Sequence, residues 1–466
     1  MAAEEYDLVV RGGTLVTAGG SGRGDLGVGG DGRIAQLGGA MRGRRELDAS
    51  GAYVLPGAVD THVHLQAVAP GPDDEPGFVD DFASGSRAAL AGGVTTLGNM
   101  TFPGPGGPGV EEAVARDLAA ARAQSAVDYV LHPGVLRADD SSLAAIPALA
   151  AQGHMSVKLF MMSLDEEADP SRLVAAVKRA GDAGMLTLVH CEDGALTRFV
   201  AADLSASGRD ALAHYPDSRP DFTEAASVER AVAVCRATGA PVCLVHLSSE
   251  AALNAARRAR ASGLPVYVET RPLYLHLTAE AHAGSDGARF IGMPPLRQAN
   301  DSRALWNGLA DGSVDTVATD HAPWFLRDKL SPEHRLTAPR AGVAELETMV
   351  PMLYDAGVRT GRLSLERLVA VTATAPARLH GLYPRKGTLA LGADADLLVL
   401  DPDEERVIDG SAMESRAGYS VHDGRRVLGW PRFTVSRGEV VYADRVVTAR
   451  PGRGRWLRRT RTGRPT

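Results

Sequence analysis

The chain has 466 residues, 44% of them hydrophobic and 23% charged. That is too long for one small domain and enough for a large α/β barrel with an accessory unit. A formal net charge of -7 argues against nucleic acid as a partner, and no run of about 18 or more apolar residues offers a membrane span.

The opening MAAEEYDLVV has no basic segment ahead of its apolar stretch and no cleavage-site pattern, so a cytoplasmic location is expected. Residues 1–55 read as short strands and turns, with YDLVVRGGTLVT and GRIAQLGG broken by Gly-Gly and Asp-Gly pairs. The same texture returns over 386–447, in DADLLVLDP and FTVSRGEVVYADRVV, and the two flanks are expected to form one small β-sandwich. Between them, over 56–385, apolar runs alternate with Ala-, Leu- and Arg-rich helical stretches. Candidate strands fall at 57–63, 94–100, 127–132, 155–160, 185–190, 241–246, 265–270 and 314–320. Eight βα units of this kind predict a (β/α)8 barrel. The Arg-rich end, 448–466, reads as a solvated, partly disordered tail; the alternative is an arm packed on a neighbouring subunit. Cys191, Cys235 and Cys243 are odd in number and lack CxxC spacing, which fits a reducing compartment with no disulfide framework.

The residues suited to chemistry sit where these strands end. In Asp60-Thr-His62-Val-His64, residues two apart on a strand share a side, so His62 and His64 can face one metal ion. Taken alone, the pair reads equally well as two exposed or hydrogen-bonded histidines. MLTLVH ends at His190, PVCLVH at His246, and VDTVATD at Asp320 followed by His321. Parallel barrels open their active sites at strand C-termini, and imidazoles with a carboxylate at neighbouring strand ends suit a divalent cation. Lys158 lies inside the apolar run VKLFMM. A buried ammonium tends to lose its proton, and a neutral amine can take up carbon dioxide as a carbamate. The residues alone favour a lysine that reaches solvent or pairs with an acid.

The ordered set PGAVDTHVH, VKLFM, LVHCED, LVHLSS, PVYVET, TDHAP and ATAPARLHGLYPRKGTLALGADADLLVLDP resembles the cyclic amidohydrolases almost end to end. These are the hydantoinases, dihydropyrimidinases, allantoinases and dihydroorotases. The resemblance implies a barrel with an N/C-terminal β-sandwich and two divalent metal ions, zinc before manganese, iron or cobalt. His62 and His64 match the ligands of the first metal, and His190 and His246 those of the second. Lys158 matches a carboxylated lysine bridging the two, which reverses the reading of that residue. Asp320 matches a ligand that is also the general base, acting on a metal-bridging hydroxide that opens a hydantoin-, dihydropyrimidine- or allantoin-like ring. A homodimer or homotetramer and a small cyclic amide or ureide substrate follow from the same resemblance.

Departures from the family pattern bear on substrate. Gln66 stands where dihydroorotases commonly carry an arginine for the substrate carboxylate, and an amide does not replace that charge. Ser163 stands where hydantoinases commonly carry a tyrosine, and Met293, in IGMPPLR, where they carry a serine. Arg271, in ETRPLYL, replaces a common cysteine and could bind an anionic or ureide group or join an ion pair. Asn99 and His321 are further candidate substrate contacts; Asn99 reads equally well as a loop hydrogen-bonder. Arg297 is expected to orient its loop and Cys191 to have no nucleophilic role; Trp324 and Tyr274 could supply apolar walls, though core packing is the commoner role for each. Two other classes remain: a dihydropyrimidinase-related scaffold, weakened because all six ligand positions are filled, and a single-metal deaminase, which has no need of Lys158.

Overall fold

The computed structural model describes residues 5–71, 73–104, 109–164 and 169–459. Strands β1 (Glu5–Thr17), β2 (Gly20–Val28), β3 (Ile34–Leu37), β4 (Arg42–Asp48) and β5 (Tyr53–Pro56) begin a largely antiparallel sheet. The chain then enters eight strands in parallel succession: β6 (Ala58–Val63), β7 (Val94–Thr101), β8 (Asp128–Val135), β9 (Ser156–Phe160), β10 (Leu186–His190), β11 (Val242–Leu244), β12 (Val266–Thr270) and β13 (Thr316–Val317). Finally β14 (Leu397–Val407), β15 (Arg426–Ser436), β16 (Glu439–Ala443) and β17 (Val446–Val447) return to the first sheet, where β14 pairs antiparallel with β5.

The parallel sheet closes on itself. Val63 bridges His321, and the His64 backbone N–H donates to the His321 carbonyl at 2.9 Å. Every residue of β6, β7 and β8 is buried, as expected of strands covered on both faces by helices and barrel interior. The surrounding helices start at side-chain caps: Asp81, Asp139, Asp193 and Ser249 each accept a backbone N–H from the first turn. The (β/α)8 barrel with an added terminal sheet is therefore the architecture of the chain.

Side-chain alternation joins the two units. On β14, Leu397 and Val399 face the core of the terminal sheet, with Leu8, Val10, Val54 and Val435. Leu398 and Leu400, offset by one residue, belong to the barrel core. Gly57 separates β5 from β6, and a methyl there would collide with Thr95 on the next barrel strand. Only glycine lets the chain pass that closely from one sheet to the other.

Two expected strands are shorter than the sequence suggested. Those read over 241–246 and 314–320 end at Leu244 and Val317. The cause lies just beyond: His246 and Asp320 take left-handed backbone angles, φ 43° and 50°, which break the strand geometry.

The Arg-rich end is corrected over its described part, because it is docked and not solvated. The Tyr129 N–H donates to the Arg455 carbonyl at 2.9 Å, and the Leu457 N–H to the Tyr129 carbonyl at 2.8 Å. Trp456 lies against His154, and Leu457 enters a buried cluster with Val59, Val130, Ala377 and Leu382. Two apolar residues among the arginines outweigh the tail-like composition, and the surface they cover is this chain's own barrel at the strand N-termini. Residues 460–466 lie outside the described residues. We expect Leu457→Ala to destabilise the fold by about 2–4 kcal/mol, seen as a lower urea midpoint; an unchanged midpoint would mean the segment is not docked.

Candidate metal centre and active site

All six sequence-predicted ligands line one cavity of ≈ 620 Å³ at the C-terminal mouth of the barrel. His62 comes from β6 and His64 from the residue after it; Lys158 and His190 come from β9 and β10. His246 and Asp320 follow β11 and β13 on the left-handed residues just described. For non-glycine residues that conformation is costly, and such strain gathers at functional sites. It turns both side chains off their strand lines toward the mouth.

The inward atoms meet closely. His64 Nε2 is 2.9 Å and His62 Nε2 3.3 Å from Asp320 Oδ1. His190 Nδ1 faces His246 Nε2 at 2.9 Å. His62 and His246 have ring centroids 5.4 Å apart, so the two groups adjoin. Among the described residues Lys158 Nζ finds no hydrogen-bond partner, and it lies 4.8 Å from the centre of the Phe160 ring.

The outward atoms are held from behind. His62 Nδ1 meets Glu269 Oε1 at 2.7 Å, leaving Nε2 for the site. His190 Nε2 meets Glu192 Oε2 at 2.8 Å, and Arg219 donates to the other oxygen of Glu192 at 3.1 Å. Carboxylates placed this way fix a ring's tautomer and orientation. Sequence reasoning missed Glu192 and Glu269. Signals were present: Glu192 lies two residues after His190, and Glu269 is a carboxylate inside the apolar run VYVET.

Burial sets the charge states. It holds His62, His190 and His246 below the usual imidazole range, the form in which a ring nitrogen has a lone pair to offer. It also pushes the Lys158 ammonium down, against the attraction of Asp320 and Glu269. Burial would raise the Asp320 carboxyl, but the Arg271 guanidinium, with His62 and His64, reverses this and holds it well below the ordinary carboxylate value.

The tentative substrate contacts divide. Gln66, Ser163 and Met293 line the cavity, with Phe78, Phe102, Phe160 and Trp324. Three others are corrected. Asn99 is buried and spends its amide on the backbone of Leu65 and Met100, joining two strand ends. His321 is buried between Asp80, 2.8 Å from Nε2, and the Glu345 backbone N–H, which donates to Nδ1. Arg271 is fully buried, and its donors go to Asp320 and Glu345, so it has no face toward a substrate. Tyr274 is also buried, donating to the Pro294 carbonyl at 2.7 Å, and Arg297 donates to Ser248 at 2.9 Å. The cause is common to the three corrected residues: each is buried, and neighbouring protein groups take its polar atoms.

Residues 53–441 match the model of the amidohydrolase family. The chain belongs to that family. Among its relatives, this amidohydrolase is 35% identical to a D-hydantoinase of Ralstonia pickettii, over 97% of this chain and 99% of the relative. It is 35% identical to a D-phenylhydantoinase of Escherichia coli, over 97% and 98%. A solved D-hydantoinase structure superposes with TM-score 0.91 at 34% identity, covering 98% of this chain and 99% of that one. The dihydropyrimidinase of Brevibacillus agri does so with TM-score 0.91 at 30% identity, covering 98% and 99%. Among the described residues no helix is long and apolar enough to cross a membrane.

The three thiols are free and buried. Cys191, Cys235 and Cys243 are buried, and burial raises all three, Cys235 to about 11. An aromatic disulfide reagent should therefore label none of them in native protein and all three after denaturation. Rapid labelling of native protein would place a thiol at the surface.

Proposed function

We propose that this amidohydrolase opens the ring amide of a hydantoin- or dihydropyrimidine-like cyclic ureide, using two divalent metal ions held by His62, His64, Lys158, His190, His246 and Asp320. The observation that carries this reading is the convergence of four imidazoles, a carboxylate and a lysine from five barrel strands and the residues just after them on one cavity, in a member of this family.

The residues present fit such ions. His62 Nε2 and Lys158 Nζ are buried without hydrogen-bond partners, and the ligand atoms of His62, His64 and Asp320 lie within 4.8 Å of one another. Imidazole with carboxylate suits zinc, with manganese, iron and cobalt as alternatives. An ammonium does not fit a cation site; a carbamate on Lys158 does. Burial drives the side chain toward the neutral amine that carbon dioxide attacks.

When bound, such a metal pair lowers the pKa of water toward neutrality and polarises an amide carbonyl. The chain's own residues do the rest. Asp320 takes a proton from the attacking water as oxygen bonds to the ring carbonyl carbon, and passes it to the ring nitrogen as the C–N bond breaks. Glu269 and Glu192 hold His62 and His190 in the tautomers that direct a lone pair inward. Phe78, Phe102, Phe160, Met293 and Trp324 form an apolar wall, which supports a ring carrying an apolar or aromatic substituent. Gln66 lines the cavity without a charge for a substrate carboxylate, and the lining's arginine, Arg116, is already bonded to Asp117 and the Phe102 carbonyl, so dihydroorotate is the weaker candidate. We place the enzyme in the cytoplasm as a homo-oligomer, which light scattering of the purified protein tests.

Protein made with zinc or manganese and bicarbonate should hold close to two metals per chain. It should open one ring class among 5-substituted hydantoins, dihydrouracil, allantoin, dihydroorotate and cyclic imides. Labelled bicarbonate should give a carbamate carbon signal that Lys158→Met abolishes. A wild-type protein without metal would sink the reading and favour the scaffold alternative. Asp320→Asn should lower kcat by about 10²–10⁴-fold while some metal remains. Glu269→Gln should weaken metal affinity by about 10–100-fold, measured by chelator competition. Trp324→Ala should cut kcat/KM for a 5-aryl hydantoin about 10-fold more than for hydantoin itself; equal losses would remove the aromatic wall from the argument.

A further inference from the structure

Asp320 has two oxygens, and the structure gives them different partners. Oδ1 faces His64 and His62. Oδ2 accepts a hydrogen bond from Arg271 Nη1 at 2.7 Å. Arg271 in turn donates through Nε and Nη2 to Glu345 Oε2, at 3.3 and 3.1 Å, and both residues are buried. The Glu345 backbone is anchored beside Asp320, since its N–H donates to Nδ1 of the adjoining His321 at 3.2 Å. Gly292 leaves room for the guanidinium: a Cβ there would lie 3.3 Å from Arg271 Nη1.

We infer that Arg271 and Glu345 are positioning residues for Asp320, an inference that rests on the function proposed above. A carboxylate on a short side chain can rotate and exchange its oxygens. Here that rotation would break a charge-assisted bond to a fully buried guanidinium. The guanidinium is planar and presents its donors in a fixed fork. Glu345 holds one part of that fork, so the donor to Asp320 has a fixed direction. Asp320 therefore offers Oδ1, in one orientation, to the reacting atoms. Glu345 also supplies the negative charge that lets an arginine lie directly behind a site built for cations. Catalytic groups misplaced by about 1 Å lose on the order of 100-fold in rate, so this arrangement should appear in turnover and not in binding.

The test compares metal-loaded wild type, Asp320→Asn, Arg271→Met, Arg271→Lys and the double variant Arg271→Met/Glu345→Gln. Metal content, KM and kcat are read on the ring substrate that wild type turns over best. Arg271→Met leaves Glu345 buried without its guanidinium partner and can fail to fold; the double variant removes both charges together. The double variant should keep wild-type metal content and a KM within threefold, and lose about 100-fold in kcat. Arg271→Lys, which retains a donor toward Oδ2, should recover at least tenfold of that loss. A double variant with kcat within threefold of wild type would overturn the inference. So would a kcat loss matched by loss of metal or by a parallel rise in KM. Absence of metal in wild type, or full activity in Asp320→Asn, would instead overturn the proposed function itself.

Discussion

The site depends on one closure. The first barrel strand meets the segment after the last, through the backbone bond from His64 to the His321 carbonyl. It brings His64 and Asp320, 256 residues apart in the chain, within hydrogen-bonding distance. A parallel sheet left open there would hold the same residues at opposite edges. The terminal sheet supports the closed form from outside: β14 divides its alternate side chains between the two cores. Gly57 lets the chain step from that sheet into β6 without a gap.

Charge is the second organising constraint. Lys158, Arg219 and Arg271 are buried near the mouth beside Glu192, Glu269, Asp320 and Glu345. Unpaired charges in such a place would each cost several kcal/mol. The arrangement separates them into two tiers. The outer tier is paired: Arg219 with Glu192, and Arg271 with Asp320 and Glu345. The inner tier of imidazole nitrogens and Lys158 Nζ lacks protein partners of opposite charge, apart from Oδ1 of Asp320. In the proposed metal centre, the carboxylates behind the rings would count as much as the rings themselves.

The pocket above the centre differs in character from the centre. Its walls are mostly aromatic and apolar; Gln66 and Ser163 bring short or neutral polar groups, and the one arginine of the lining, Arg116, is bonded to Asp117 and the Phe102 carbonyl. Under the proposed function, ring chemistry and substituent recognition fall to different residues. The same barrel end can keep one reaction while its loops change the range of substrates.

The barrel, its eight strands and the six inward residues were legible in the sequence. Parallel strands write themselves as apolar runs, and a polar residue ending such a run has few places to point. His62, His64, His190, His246 and Asp320 were found this way, and the order of family motifs added Lys158. What folding decided was the layer behind them. Glu269 and Glu345 gain their roles from partners on other strands and loops, and Glu192, beside His190 in sequence, is fixed by Arg219 from a distant loop. Asn99, Arg271 and His321 look like pocket residues in the sequence, yet turn away from the cavity. The left-handed turns at His246 and Asp320, and the docking of Leu457, have no local signature either. The division has one physical reason: burial periodicity is a property of a strand, whereas the direction of a side chain at a strand end is set by contacts that exist only once the barrel has closed.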